Sequence, residues 1–360
     1  MPRSRSGYGP GGRSGRNPAA AGNPRLEARP GAEQAGQGAL SQGGHYAEAE
    51  PRLKRSLAIG EAIFGADDPE LVPILYNLAL LYHVQGRYGE AEIYQQRVLA
   101  IDEKAVGSDN FDVATDLSNL AALYHVQERY AEAEPLYRRA LAILEKTLGP
   151  EHPLVATSLN NLASLHLARV ELGKAEPLLR RALTIDQKAL GPEHRDVGRD
   201  LNNLGVLYRK LGKYAEAEGF HKRALAVDEK ALGPDHPDIA ADLNNLALVF
   251  QAEERYAQAA AYFKRSLAIV EKAVGRNHPH MGQGLINLAL LYHGQEKYAE
   301  AESYYKQALQ VWERVPGADN PAVAESLENY AALLRETRRE DAARDMEKRA
   351  KTIRAEWQDR

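Results

Sequence analysis

The histidines of this 360-residue chain are the first residues whose spacing suggests chemistry. His152, His194, His236 and His278 stand 42 residues apart, and His83, His125 and His293 share a second register of the same interval. A metal needs its donors to converge within a few ångströms. One donor per structural unit is instead separated from the next by about a helix diameter, roughly 10 Å. Both series are therefore read as loop and cap residues, and no metal or other cofactor is expected. Acids recur in the same way at Glu90, Glu132, Glu216 and Glu300. They read as a solvated helix face, with i,i+4 partners such as Glu134–Arg138. His166 interrupts an aromatic series and reads as its replacement, not as a catalytic base. A nucleophile, a base and an orienting group would stand out from a repeating background. None does, so the chain is expected not to be an enzyme. Cysteine is absent, which excludes disulfides, thiol nucleophiles and Cys-ligated zinc or iron–sulfur centres.

Asparagine is the more promising series. Asn77, Asn119, Asn161, Asn203, Asn245, Asn287 and Asn329 follow one another at intervals of 42, although Asn is a mediocre helix former. A primary amide offers a donor and an acceptor together. It suits either a peptide backbone, whatever its side chains, or an inter-repeat hydrogen bond that fixes helix register; both readings stand.

The elements that must carry these residues follow from the period. Gly65, Gly107, Gly149, Gly191, Gly233, Gly275 and Gly317 repeat at 42, as do the alanines from Ala49 to Ala343. Such self-similarity is the mark of a repeat architecture. Each unit reads as two helices. In the first, Leu117, Leu120, Ala121 and Tyr124 fall at i, i+3, i+4, i+7, a single buried stripe, with Asn119 one residue off it. In the second, Ala133, Tyr137, Ala140, Leu141 and Leu144 continue the pattern. Gly149 then ends the helix, and Gly149-Pro150-Glu151-His152-Pro153 turns and restarts the chain, with Pro153 suited to the first helical position. Gly86 and Gly212 mark the turn inside a unit, a slot taken elsewhere by Glu128, Glu254 and Glu296. Ala79, Ala121, Ala163, Gly205, Ala247, Ala289 and Ala331 form a small-residue slot beside Tyr82, Tyr124, Tyr208, Phe250 and Tyr292. These packing slots account for much of an aromatic usage of 18 Tyr against 5 Phe. The unit at 154–195, with His166 and Leu172 in place of tyrosines and Arg195 in place of the linker proline, is expected to be the least stable.

Paired helices, these small and large slots, and the tyrosine before the AEAEP run resemble tetratricopeptide repeats. The 42-residue unit, with LNNLA at 159–163 and 243–247 and the linkers GPEHP and GPDHP, is similar to kinesin light chain repeats. The resemblance spans about residues 45–350 and implies an all-α, right-handed α-solenoid whose first helices line a concave groove. It implies that Asn77, Asn119, Asn161, Asn203, Asn245 and Asn287 contact an extended peptide there. Specificity is expected from slots that vary, among them Asn160, Asn202 and Asn244 in a series with Tyr76, Ser118, Ile286 and Glu328. Arg199, Arg209 and Lys210 fall on one helix in the middle of the array and are expected to anchor an acidic side chain or carboxylate. The Lys/Asn/Arg carboxylate clamp of chaperone-binding tetratricopeptide domains is not reproduced.

Composition bounds the rest. Residues 1–44 hold six arginines against two acids, with 11 Gly and 5 Pro; that +4 leaves −8 on the remainder of a chain whose net charge is −4. So poor an apolar content predicts a disordered tail. Its Gly7-Tyr8-Gly9-Pro10-Gly11-Gly12-Arg13-Ser14 approaches a phosphate-binding loop but lacks a flanking strand and helix. Residues 45–339 are assigned to the array and 340–360 to a polar closing helix. There is no basic stripe for nucleic acid, no apolar run of membrane-spanning length and no secretory signal. A cytoplasmic monomer that binds a protein or peptide is expected. Two alternatives are the sensor arm of a larger signalling NTPase system and a self-assembling scaffold.

Overall fold

The computed structural model describes residues 46–314 and 321–358. The expected tail and the linker carrying Gly317 lie outside these residues. Fifteen helices follow in tandem among the described residues. The chain runs through α1 (Tyr46–Phe64), a 3-10 turn at Pro69–Leu71, α2 (Val72–Val84), α3 (Tyr88–Val106), α4 (Phe111–Val126), α5 (Tyr130–Leu148), α6 (Pro153–Ala168) and α7 (Leu172–Leu190). It continues through α8 (Arg195–Lys210), α9 (Tyr214–Leu232), α10 (Ile239–Ala252), α11 (Tyr256–Val274), α12 (Pro279–His293), α13 (Tyr298–Glu313), α14 (Pro321–Glu336) and α15 (Glu340–Gln358). Even-numbered helices are the first members of the repeats and odd-numbered helices the second.

Each helix packs on the one before and the one after, and the result is a right-handed α-solenoid. Which layer lies inside follows from the contacts. Successive first helices also touch one another, α4 on α6, α6 on α8, α8 on α10 and α12 on α14, whereas no two second helices approach to that extent. The layer with the shorter arc is the first-helix layer, so its outer face is concave.

The small-residue slot is fully closed at Ala121, Ala163, Ala247, Ala289 and Ala331. Aromatic rings fill the space beside it: Tyr82 stacks on Tyr94 at 5.6 Å, Phe250 on Tyr262 at 5.2 Å and Tyr292 on Tyr304 at 5.5 Å. His166 occupies this slot in α6, buried, with Nδ1 2.7 Å from Glu171 Oε2. Gly149 adopts φ 88° at the end of α5, a region closed to residues with a Cβ. The turn inside each unit also needs positive φ. Gly86 and Gly212 supply it, while Glu128, Val170, Glu254, Glu296 and Arg338 adopt φ of 58–60° despite their side chains.

Glu90 and Glu132 pair with Arg87 and Arg129 beside them, whereas the acids two residues further on bind the neighbouring repeat. Glu92 accepts from Tyr124 Oη at 3.0 Å and pairs with Arg129 at 2.5 Å, and that guanidinium lies over the Tyr124 ring. Glu50 and Glu302 repeat the arrangement with Tyr82 and Arg87, and with Tyr330 and Arg339.

Candidate functional site

Seven ladder asparagines, one per first helix from α2 to α14, are half-buried. They sit one residue off the buried stripe because 100° per residue carries position 119 from the core contact of Leu120 toward the inner face. Asn77, Asn119, Asn161 and Asn245 make no hydrogen bond through their amides within the described residues. Asn287 accepts a long bond from Gln283 at 3.4 Å, and Asn203 donates to Asn160 Oδ1 at 2.9 Å. Most of the ladder therefore presents uncommitted donors and acceptors along the concave face.

Register is fixed one residue earlier. Asn160 Nδ2 donates to Asp200 Oδ1 in the next repeat at 2.6 Å and to the Ala156 carbonyl at 3.1 Å. Asn202 likewise donates to Asp242 one repeat on. The series ends at Asn244, because Gly284 stands where the next aspartate would be, and Asn244 Oδ1 is left buried without a partner. Asn160, expected in the groove, is 5% exposed. Asn160 and Asn202 spend their amides on the following repeat, so they tie units together instead of facing a ligand.

The basic residues are likewise dispersed. Arg199 lies ten residues before Arg209, about 15 Å along α8. Its guanidinium is held by Asp196 at 2.9 Å and Asp186 at 3.4 Å. Lys210 is exposed. Arg209 is half-buried, with Nε unpartnered, beside His221. His221 does not stand out in the sequence because its slot belongs to the second helix, where Tyr137, Leu179 and Phe263 are plain core residues. It fits only because position 205 is Gly; a Cβ there would come within 2.6 Å of its Nε2. Since Asn202 Nδ2 donates to Asp242, Asn202 Oδ1 accepts from His221 Nδ1 at 2.8 Å. Burial and Arg209 depress the imidazole to about 4, so it is neutral at neutral pH and carries its proton on Nδ1.

Near the start of the array the face opens into a cavity of about 200 Å³, lined by Tyr76, Leu80, His83, Gln95, Asn119 and Leu123 among others. An apolar floor with one ladder amide on its rim suits a side chain of a bound segment more than a reaction centre.

The family model described as Tetratricopeptide repeat matches residues 38–104, 112–188, 171–230, 201–272 and 280–356. The chain belongs to the tetratricopeptide repeat family. Solved structures similar to this tetratricopeptide array include BtubC (BKLC) from P. vanneervenii, with 23% identity over 64% of this chain and 91% of that one, TM-score 0.52. A Rap protein complexed with competence and sporulation factor aligns with 16% identity over 80% of this chain and 76% of that one, TM-score 0.58. The repeats of a putative kinesin light chain from Podosopora anserina share 28% identity over 57% of this chain and 97% of that one, TM-score 0.49. No curated protein matches the sequence.

The two recurrent histidine series have structural partners in the tetratricopeptide array. Nδ1 of His152, His194, His236 and His278 accepts the backbone N–H two residues on, at 3.2–3.3 Å, as Asp68 and Asn110 do through their oxygens at 2.9 Å. His83, His125 and His293 pack edge-on against Tyr88, Tyr130 and Tyr298. Among the described residues no group of three or more His, Asp or Glu is placed to hold a metal, and no helix is long and apolar enough to cross a membrane.

Proposed function

We propose that the chain is a non-enzymatic scaffold that holds an extended protein or peptide segment along its first-helix face. Tetratricopeptide arrays are in general interaction scaffolds for protein or peptide partners. The observation that carries the reading here is the row of half-buried ladder amides at Asn77, Asn119, Asn161 and Asn245, without a hydrogen-bond partner among the described residues. These amides reach water, and a peptide backbone laid along the row replaces that water with donors and acceptors of its own. Arg209 and Lys210 give the middle of the face positive charge, and an acidic residue of the segment pairs there. The cavity beside Asn119 takes an apolar side chain of the same segment.

Selection of a random peptide-display library on the intact chain tests this. The expected outcome is enrichment of linear peptides with an acid at a fixed distance from an apolar residue, lost when Arg209 is replaced by Ala. A library that enriches nothing, or whose enriched peptides compete equally well for a chain carrying Arg209→Ala, contradicts the acidic preference.

A further inference from the structure

Asp186 on α7 and Asp200 on α8 are fully buried, and one repeat on their slots are taken by Asp228 on α9, half-buried, and Asp242 on α10, buried. Asp102 and Asp116, both buried, hold the same two slots nearer the start of the array. Within the Asp186–Asp200 and Asp228–Asp242 pairs the carboxyls lie close enough across the boundary between repeats to hydrogen-bond each other. Two carboxylates cannot do so, since an ionised carboxyl only accepts. The hydrogen-bond census points the same way. With every acid ionised, Asp186 Oδ1, Asp200 Oδ2 and Asp242 Oδ2 are buried acceptors without a donor, and each such orphan is destabilising. One proton per pair makes one oxygen a donor and satisfies its neighbour.

The surroundings allow one negative charge per pair and no more. Arg199 approaches Asp186 Oδ2 at 3.4 Å and Asp200 Oδ1 at 3.7 Å, Asn160 donates to Asp200, and His194 faces Asp186 from the linker, while Asp196 opposes further ionisation. Around the second pair Arg195 faces Asp228, Asn202 donates to Asp242 with neutral His221 behind it, and Asp238 adds negative charge against both acids. Arg199 offsets one carboxylate of the first pair, and Arg195, itself paired with Asp238 at 2.6 Å, offsets less at the second; a further carboxylate in either pair would be left buried and uncompensated.

We propose that the α7–α8 and α9–α10 joints are proton-locked: each carboxyl pair holds one proton between its members, and loss of that proton on raising pH loosens the middle of the array beneath Asn161, Asn203 and Asn245. Burial lifts Asp200 and Asp242 to about 7, from 3.8 for a free side chain. A folded pKa above the unfolded value means the native state keeps a proton that the unfolded chain has released. The stability this gives is whole below about pH 4 and is lost as pH rises through about 7. Each pair raises the unfolding constant by up to about tenfold per pH unit in that window.

The test is urea unfolding of the full chain from about pH 5 to about pH 8, wild type against Asp200→Asn/Asp242→Asn. The amide keeps a donor for its partner and removes the titration. The wild-type midpoint is expected to fall as pH rises, and the variant's midpoint is expected to lack that fall and to exceed the wild type's at the alkaline end. A wild-type midpoint that does not fall, or a variant that keeps the wild-type slope, overturns the proposal. Because the substituted chain must fold to be informative, Asp186→Asn/Asp228→Asn puts the amide on the opposite member of each pair, with the same expectation. The wild type alone gives an independent reading: a carboxylic-acid C=O infrared band must persist near pH 6, well above the usual carboxylate range, and its absence overturns the proposal.

Discussion

At the scale of the residue, type and position say different things. The ladder asparagines were legible because a poor helix former kept at one slot in seven units needs a reason, and the structure leaves four of the amides uncommitted. Asn160 and Asn202 were not legible as internal ties. Their partners Asp200 and Asp242 lie 40 residues on, a separation that only the stacking of units turns into contact. The engagement of Arg199 within the array is hidden for the same reason, since the acids that hold it include one from the preceding helix. Backbone strain gives a prediction at this scale. Val170 is β-branched, 68% exposed and held at φ 59°, a conformation that costs an L-residue roughly 1–2 kcal/mol and glycine almost nothing. Val170→Gly should stabilise the chain by about 1 kcal/mol after the greater entropy of unfolded Gly is offset, read as a higher urea midpoint; a lower midpoint contradicts the strain argument.

At the scale of the element, helix starts and stops were almost fully readable. Gly149 and Pro153 mark an end and a beginning that local sterics alone dictate, and the structure places α5 and α6 on either side of them. The linker histidines are legible in the sequence as loop and cap residues; what makes them caps is the Nδ1 bond from the amide two residues on. Neutral imidazole does here what Asp68 and Asn110 do with oxygen. Replacing His152 by Ala should therefore cost about 1 kcal/mol, the usual worth of an N-cap, whereas His152→Asp should cost nothing measurable and favour the positive end of α6. Thermal unfolding of the two variants checks this, and equal losses would show that the ring matters for packing and not for the cap.

At the scale of the whole molecule the array is a row of nearest-neighbour interfaces, so stability and groove shape are sums along the stack. The period made the architecture legible, and the concave side follows from which helices touch their own kind. The slots that break the pattern stayed hidden until packing paired them: Gly205 with His221, Gly282 with Trp312, and Asp186 with Asp200. Each is unremarkable in its own series and meaningful only beside its partner. The repeated Lys–acid pairs along the outer edge, such as Lys146–Asp109 and Lys272–Asp235, are mostly exposed and add little. The binding claim therefore rests on the inner face. Its most direct test is the affinity of one display-selected peptide, titrated calorimetrically into the wild type and into a chain carrying Asn119→Ala, Asn161→Ala and Asn245→Ala. These three amides have no partner among the described residues, so helicity should be unchanged while affinity falls by at least about tenfold, equivalent to about 1.4 kcal/mol. Equal affinity for the two proteins would contradict the account.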